Sequence, residues 1–205
     1  MTKNQKIQLG LLGIAALWLA GSVTMSLLGL FDQPNKPPTY FGLFLGGSIV
    51  LFLLAYAISK SLREALLAIP LWMVAAIHAF RFVGIFFVVD AIADILPPQF
   101  GLPAGIGDIV AAIISIPLAI LLRQGHRSKG LRVGFIAWNI FGLLDLFTAV
   151  SLGLLYSKSI VGFLSQPGLD SQALSYMPLS LIPTFYVPIL ILLHFLALRR
   201  NREIA

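Results

Sequence analysis

The sequence predicts an all-α integral membrane bundle of six transmembrane helices, and three observations carry that prediction. Six predominantly apolar runs succeed one another, each near the ~20 residues that a helix needs to cross a bilayer core. Of the 205 residues, 59% are hydrophobic and 11% charged, against about 25% charged in a soluble domain. The charges that remain gather in the breaks between runs, and the basic ones concentrate in alternate breaks. A sheet is excluded at this hydropathy, because the unpaired backbone of an open strand cannot face lipid.

The first run covers residues 7–31 and closes on the proline-rich segment Asp32-Gln33-Pro34-Asn35-Lys36-Pro37-Pro38, which cannot continue a helix. Lys3 and Lys6 ahead of an apolar run resemble the start of a secretory signal, whose core is about 7–15 residues. This run is longer, so it is predicted to be a retained helix. The second run, 39–59, ends at Lys60, Arg63 and Glu64, and the third, 66–96, stops at Pro97-Pro98. The fourth, 103–122, precedes the basic stretch from Arg123 to Arg132. The fifth is 133–156, and the sixth, 178–198, ends in Arg199-Arg200-Asn201-Arg202. Pro183 and Pro188 are expected to bend the sixth helix and free carbonyls for other partners. Gly46-Gly47 and Gly101, Gly105 and Gly107 are expected to allow close helix contact. No composition shift marks a boundary, so residues 1–205 read as a single six-helix transmembrane domain.

Orientation follows from lysine and arginine. Lys3, Lys6, Lys60, Arg63, Arg123, Arg127, Lys129, Arg132, Arg199, Arg200 and Arg202 fall on one side; Lys36 and Lys158 fall on the other. The positive-inside rule therefore predicts a multi-pass cell-membrane protein with both termini cytoplasmic, as an even number of spans requires. The net charge of +6 is thus a topology signal, and no nucleic-acid partner is inferred from it. With no cysteine, disulfides, iron–sulfur clusters and thiolate metal sites are excluded.

The third run carries His78 and Arg81 near its middle, three apart and so on one helix face. An arginine at that depth costs about 2.5–3.5 kcal/mol on insertion scales and turns inward. Counting along each run at about 1.5 Å per residue puts His78 and Asp145 near the midplane and Arg81 about a turn beyond. Asn139 shares a face with Asp145 through Gly142. Asp108 falls near the outer end of the fourth run, His194 near the inner end of the sixth, and Asp90 and Asp94 at the outer mouth. Unpaired, Arg81 and Asp145 would cost about 5–7 kcal/mol together. They are therefore expected to face each other, with His78 and Asn139 completing a network and Asp108 competing for the arginine. The plainer reading is a buried ion pair that only sets helix register.

The two intramembrane histidines raise the option of haem. Counted depths differ by about 6–10 Å, which argues against a shared ring and leaves His194 as a helix-end residue near the headgroups. Neither has a second histidine four residues on, so no metal site is expected. Paired-glutamate, aspartate-rich prenyl-phosphate, GxSG and P-loop signatures are all missing, so enzyme chemistry is not the first expectation. The glycine-rich segment from Pro103 to Asp108 reads as a tight helix entry. Phe80, Phe82, Phe86 and Phe87 read as lipid-facing packing, or as the wall of a pocket for a hydrophobic ligand such as a quinone.

The segments HAFRFVG, LPPQFGLPAGIGD, WNIFGLLD and IPTFYVPILILLH resemble a small bacterial family of multi-pass membrane proteins to which no activity is assigned. The resemblance therefore implies no function. They do not resemble rhodopsins, rhomboid proteases or CAAX-type proteases. The expectation is a cytoplasmic-membrane protein whose intramembrane site, built from His78, Arg81, Asn139, Asp145 and Asp108, binds or moves a small solute or a proton. His78 and Asp145 would exchange protons, while Arg81 holds Asp145 ionised or receives an anionic group. The alternatives are a membrane redox or lipid-modifying enzyme with a haem or quinone site, and a structural membrane subunit. The expected partners are the lipid bilayer and that ligand, with a homo-oligomer left open.

Overall fold

A computed structural model describes residues 1–204, and every regular element in it is helical. Helix α1 (Lys3–Leu27) starts in a capping box: Thr2 Oγ1 accepts from the Gln5 N–H at 3.2 Å and Gln5 Oε1 from the Thr2 N–H at 2.8 Å. Gly29, at φ 67°, follows its end in the left-handed conformation that closes many helices. Helix α2 (Thr39–Ile58) contains a π-turn at Leu43–Gly47. Ser48 Oγ donates to the Phe44 carbonyl at 2.5 Å and to that of Leu45 at 2.9 Å, satisfying groups the wider turn displaces.

The third apolar run is not one helix. Ser59 leaves helical geometry and caps a short amphipathic helix, α3 (Lys60–Leu67), by accepting from the Leu62 N–H at 3.2 Å. Arg63, from α3, donates to the Tyr56 and Ala57 carbonyls at 2.9 and 2.6 Å, covering the end of α2. Pro70 then separates α3 from α4 (Leu71–Ile92), so the third span begins five residues later than expected from the sequence. At the other end the residue pair read as a stop has a second role, for Pro98 is the first residue of α5 (Pro98–Arg123). Proline suits that position, where its missing N–H would be unpaired anyway. Helix α6 (Lys129–Leu155) is capped by Ser128, whose Oγ accepts from the Leu131 N–H at 3.1 Å.

The last span, α7 (Ile182–Arg199), opens with a π-turn at Ile182–Tyr186. Pro188 has no N–H for the Thr184 carbonyl four residues back. Ser22 Oγ of α1 approaches that carbonyl at 3.5 Å, and Ser180 Oγ is 2.7 Å from Ser26 Oγ. These serines attach an otherwise peripheral α1 to the bundle.

All six long helices are long and apolar enough to cross a membrane. Their outward residues are apolar, among them Leu17, Leu51, Ile92 and Phe147, while Arg81, His78, Asn139 and His194 are 0% exposed. That inversion of a soluble protein's surface is what lipid as the surrounding solvent demands. Two apolar cores fill the interior. One, toward the basic ends, joins Leu71, Val74, Leu118, Leu122, Phe135 and Trp138. The other joins Phe87, Phe100, Ala104, Leu146, Val187 and Leu190. The polar residues lie in the layer between them.

Helices α4 and α5 cross on small residues. A Cβ at Gly105 would sit 2.5 Å from the Gly84 carbonyl oxygen, and one at Gly101 would sit 2.8 Å from the Ala91 Cβ. Only glycine permits that approach.

On the side away from the basic ends, the 32–38 connection is strapped to the long connection before α7. Tyr176 Oη donates to Asp32 at 2.6 Å, Gln172 Nε2 to the same carboxylate at 3.2 Å, and the Asn35 N–H to the Lys158 carbonyl at 2.9 Å. The Asp32 bond holds the Tyr176 phenol above its usual value. In the same connection Ile160 and Phe163 are exposed.

Candidate functional site

Midway along α4 the helix tightens to a 3-10 run over His78–Gly84. Such runs seldom exceed three or four residues, and long ones mark hinges or strain. At three residues per turn, positions 78, 81 and 84 align along one line of the helix. His78, Arg81 and Gly84 are the buried residues of the segment, while Phe80 and Phe82 point outward. Gly84 sits directly against Asp108 of α5, which brings the arginine of the preceding turn within reach of that carboxylate.

Arg81 is the largest fully buried side chain and is clasped from three helices. Its Nε donates to Asp108 Oδ1 of α5 at 2.7 Å. Its Nη2 donates to Asp145 Oδ2 of α6. Its Nη1 donates at 3.3 Å to the Gly142 carbonyl of α6 and at 3.3 Å to His194 Nε2 of α7. The two acids expected to compete for the arginine bind it together.

The hydrogen bonds determine the His194 tautomer. Asn139 Nδ2 donates to the Phe135 carbonyl at 2.8 Å, which leaves its Oδ1 facing His194 Nδ1 at 2.9 Å. An amide oxygen only accepts, so Nδ1 carries the proton and Nε2 receives the guanidinium N–H. His194 is therefore a neutral acceptor inside the network.

His78 is the exception. Its ring lies 4.0 Å from that of His194 and 5.0 Å edge-on to Trp138, yet neither of its nitrogens has a hydrogen-bond partner. A buried polar group without a partner costs about 1–3 kcal/mol.

Two sequence expectations need correcting. His194 is not an isolated helix-end residue at a different depth from His78; the two meet ring to ring. The depth count started His78 from residue 65, whereas α3 and Pro70 delay the span to Leu71 and bring His78 closer to the basic end. Pro70 was the available signal. At 4.0 Å and a tilt of 36° the imidazoles pack against each other, too close for an iron to lie between them. Arg81, in turn, has every nitrogen engaged and is not a free receptor for an anionic group.

Glycines make room for the clasp. A Cβ at Gly142 would stand 2.9 Å from Arg81 Nη1 and collide with the His194 ring, and one at Gly107 would collide with the Asp145 carboxylate. Gly107 thus serves α6 and the site, whereas Gly101 and Gly105 serve the α4 crossing. Asp90, by contrast, is outside the clasp.

A cleft leads to the clasp. Its mouth is formed by Pro38 and Phe41 at the start of α2 and Ser157 after α6, and it ends at Asp108, enclosing ≈ 90 Å³. Leu45 and Ile182 on its walls belong to the two π-turns.

The domain of unknown function DUF8737 matches residues 38–202. The chain belongs to this family. Spans α2 to α7 and every residue of the clasp lie within the matched region, while α1 precedes it. No curated protein and no solved structure matches the chain.

Proposed function

We propose that this DUF8737 protein resides in a bacterial cytoplasmic membrane, with both termini cytoplasmic, and that its clasp binds and moves a proton coupled to a small solute. One observation carries the reading: a single guanidinium faces two carboxylates in a layer flanked by an apolar core on either side. With both acids ionised the group holds one uncompensated negative charge, which low-dielectric surroundings penalise heavily. A proton shared by Asp108 and Asp145 neutralises it. Loading and releasing that proton changes the charge of the buried centre by one unit.

The surrounding backbone supports such a role. The 3-10 run of α4 and the π-turns of α2 and α7 are local departures of the kind that accompany functional sites in helices. The cleft offers an approach to Asp108 from the side away from the basic ends. His78, with both nitrogens unpaired beside the clasp, is a proton acceptor on the route toward the basic side. Orientation follows from the eleven basic residues on one side of the bundle against two on the other.

The test is proton flux into liposomes carrying the purified protein, read with an enclosed pH dye under an imposed potential. Wild type is expected to carry current, and Asp108→Asn and Asp145→Asn to abolish it while remaining folded. Flux no greater than in empty liposomes, or flux that survives both substitutions, overturns the reading. A clasp that changes only thermal stability when altered is a structural device, the role suggested by the saturation of Arg81.

A further inference from the structure

Within the cleft, the chemistry around Asp108 is more specific than proton binding requires. Asp108 is the one charged residue on its lining among the described residues. Phe100, against Gly153, and Phe87, its ring centroid 5.6 Å from that of Phe100, line the cleft further along, and the remaining wall is aliphatic, from Leu146 to Val187. A single carboxylate in an apolar recess is the composition that selects an organic ammonium: the acid supplies charge and the apolar walls take the hydrocarbon. A hydrated inorganic cation finds one carboxylate here and, beyond it, only the hydroxyls of Ser157, Ser171 and Ser175 among the lining side chains, fewer than the roughly six to eight oxygens a hard cation takes. An anion would meet the uncompensated negative charge of the clasp.

We propose that the cleft is a binding site for a hydrocarbon-borne ammonium, whose head pairs with Asp108 and whose chain runs along Leu146 and Val187 toward the mouth. The proposal deepens the reading above by naming the solute class, and it makes the ammonium and the clasp proton alternative ways to compensate one charge. Binding of the amine therefore displaces that proton from the clasp.

Three probes of equal carbon body separate the contributions: hexylammonium, hexanol and hexanoate, added to the full-length protein in lipid nanodiscs and followed by calorimetry at pH 7. Hexylammonium is expected to bind at least about tenfold more tightly than hexanol, the margin of one charge-assisted hydrogen bond, with hexanoate silent. Asp108→Asn is expected to erase that margin. Ala149→Phe, which fills the cleft, is expected to remove binding of both. Gly153→Leu is a second block should the first variant fail to fold, since a Cβ there meets only ordinary contacts at 3.6 Å. Equal binding of hexanol and hexylammonium, or a margin that persists in Asp108→Asn, overturns the proposal.

The two readings fail separately. If hexylammonium does not bind but proton flux still depends on Asp145, only the ammonium site is lost. If hexylammonium binds as described and no proton moves, only transport is lost. Mass spectrometry of the purified protein distinguishes the sources of the amine. An amine-headed lipid retained by wild type and missing from Ala149→Phe assigns the ligand to the bilayer, and its absence with tight hexylammonium binding assigns it to the aqueous phase.

Discussion

Replacing Arg81 by methionine should be far more damaging than replacing either of its acids. Methionine fills much of the volume but leaves two carboxylates in an apolar layer with no counter-charge. Deleting one partner of a buried pair costs about 3–5 kcal/mol, most of it the unpaired charge left behind. Asp145→Asn acts differently. It keeps the shape and an acceptor oxygen for Nη2, and it leaves Arg81 paired one-to-one with Asp108 at 2.7 Å. It should cost about 1 kcal/mol, the difference between a charge-assisted and a neutral hydrogen bond. Adding Asp108→Asn and Asp145→Asn to Arg81→Met should then recover part of the loss, because the stranded charges are gone. Thermal unfolding in a single detergent, with the order checked by steric trapping in bicelles, ranks the variants. An Arg81→Met protein as stable as Asp145→Asn would refute the charge argument.

Three further outcomes are expected. Gly142→Ala should destabilise by about 1–3 kcal/mol, the usual result of overpacking, because its methyl group meets His194 and Arg81, whereas Gly13→Ala meets nothing within 4 Å and should be neutral or mildly stabilising; paired melting curves decide. His78→Leu removes two unpaired nitrogens, so stability should hold within about 1 kcal/mol while proton flux falls; a large loss of stability would mean that the imidazole has a partner. The hydrogen bond to Asp32 raises the Tyr176 phenol above its usual 10.0 and so favours the neutral form. Its stabilisation should be complete below about pH 10 and vanish as pH rises through the shifted value, so the melting-temperature gap between wild type and Tyr176→Phe should close in strong alkali.

Hydropathy, charge placement and turn residues were enough to determine six helices, their approximate bounds and the inward direction of Arg81. These depend on the solvent: lipid accepts neither unpaired backbone nor an exposed guanidinium, so local composition decides them. The alignment of Asn139, Gly142 and Asp145 on one face was legible as well, because it follows from helical period alone. Where the third span begins was less so. Residues 65–69 are as apolar as a span, and only Pro70 separates the surface helix from the crossing one, which is why His78 was placed too deep and apart from His194.

The tertiary structure alone decided the rest. That Asp108 and Asp145 bind Arg81 at once depends on glycines at 84, 107 and 142 letting three helices close around one side chain. The 3-10 tightening that aims His78 and Arg81 inward leaves no periodic mark that distinguishes it from an α-helix over seven residues. The cleft is set by how α2, α5, α6 and α7 splay around their π-turns. Each of these is a relation between segments far apart in the chain, and hydrophobic pattern reports only on the segment that carries it.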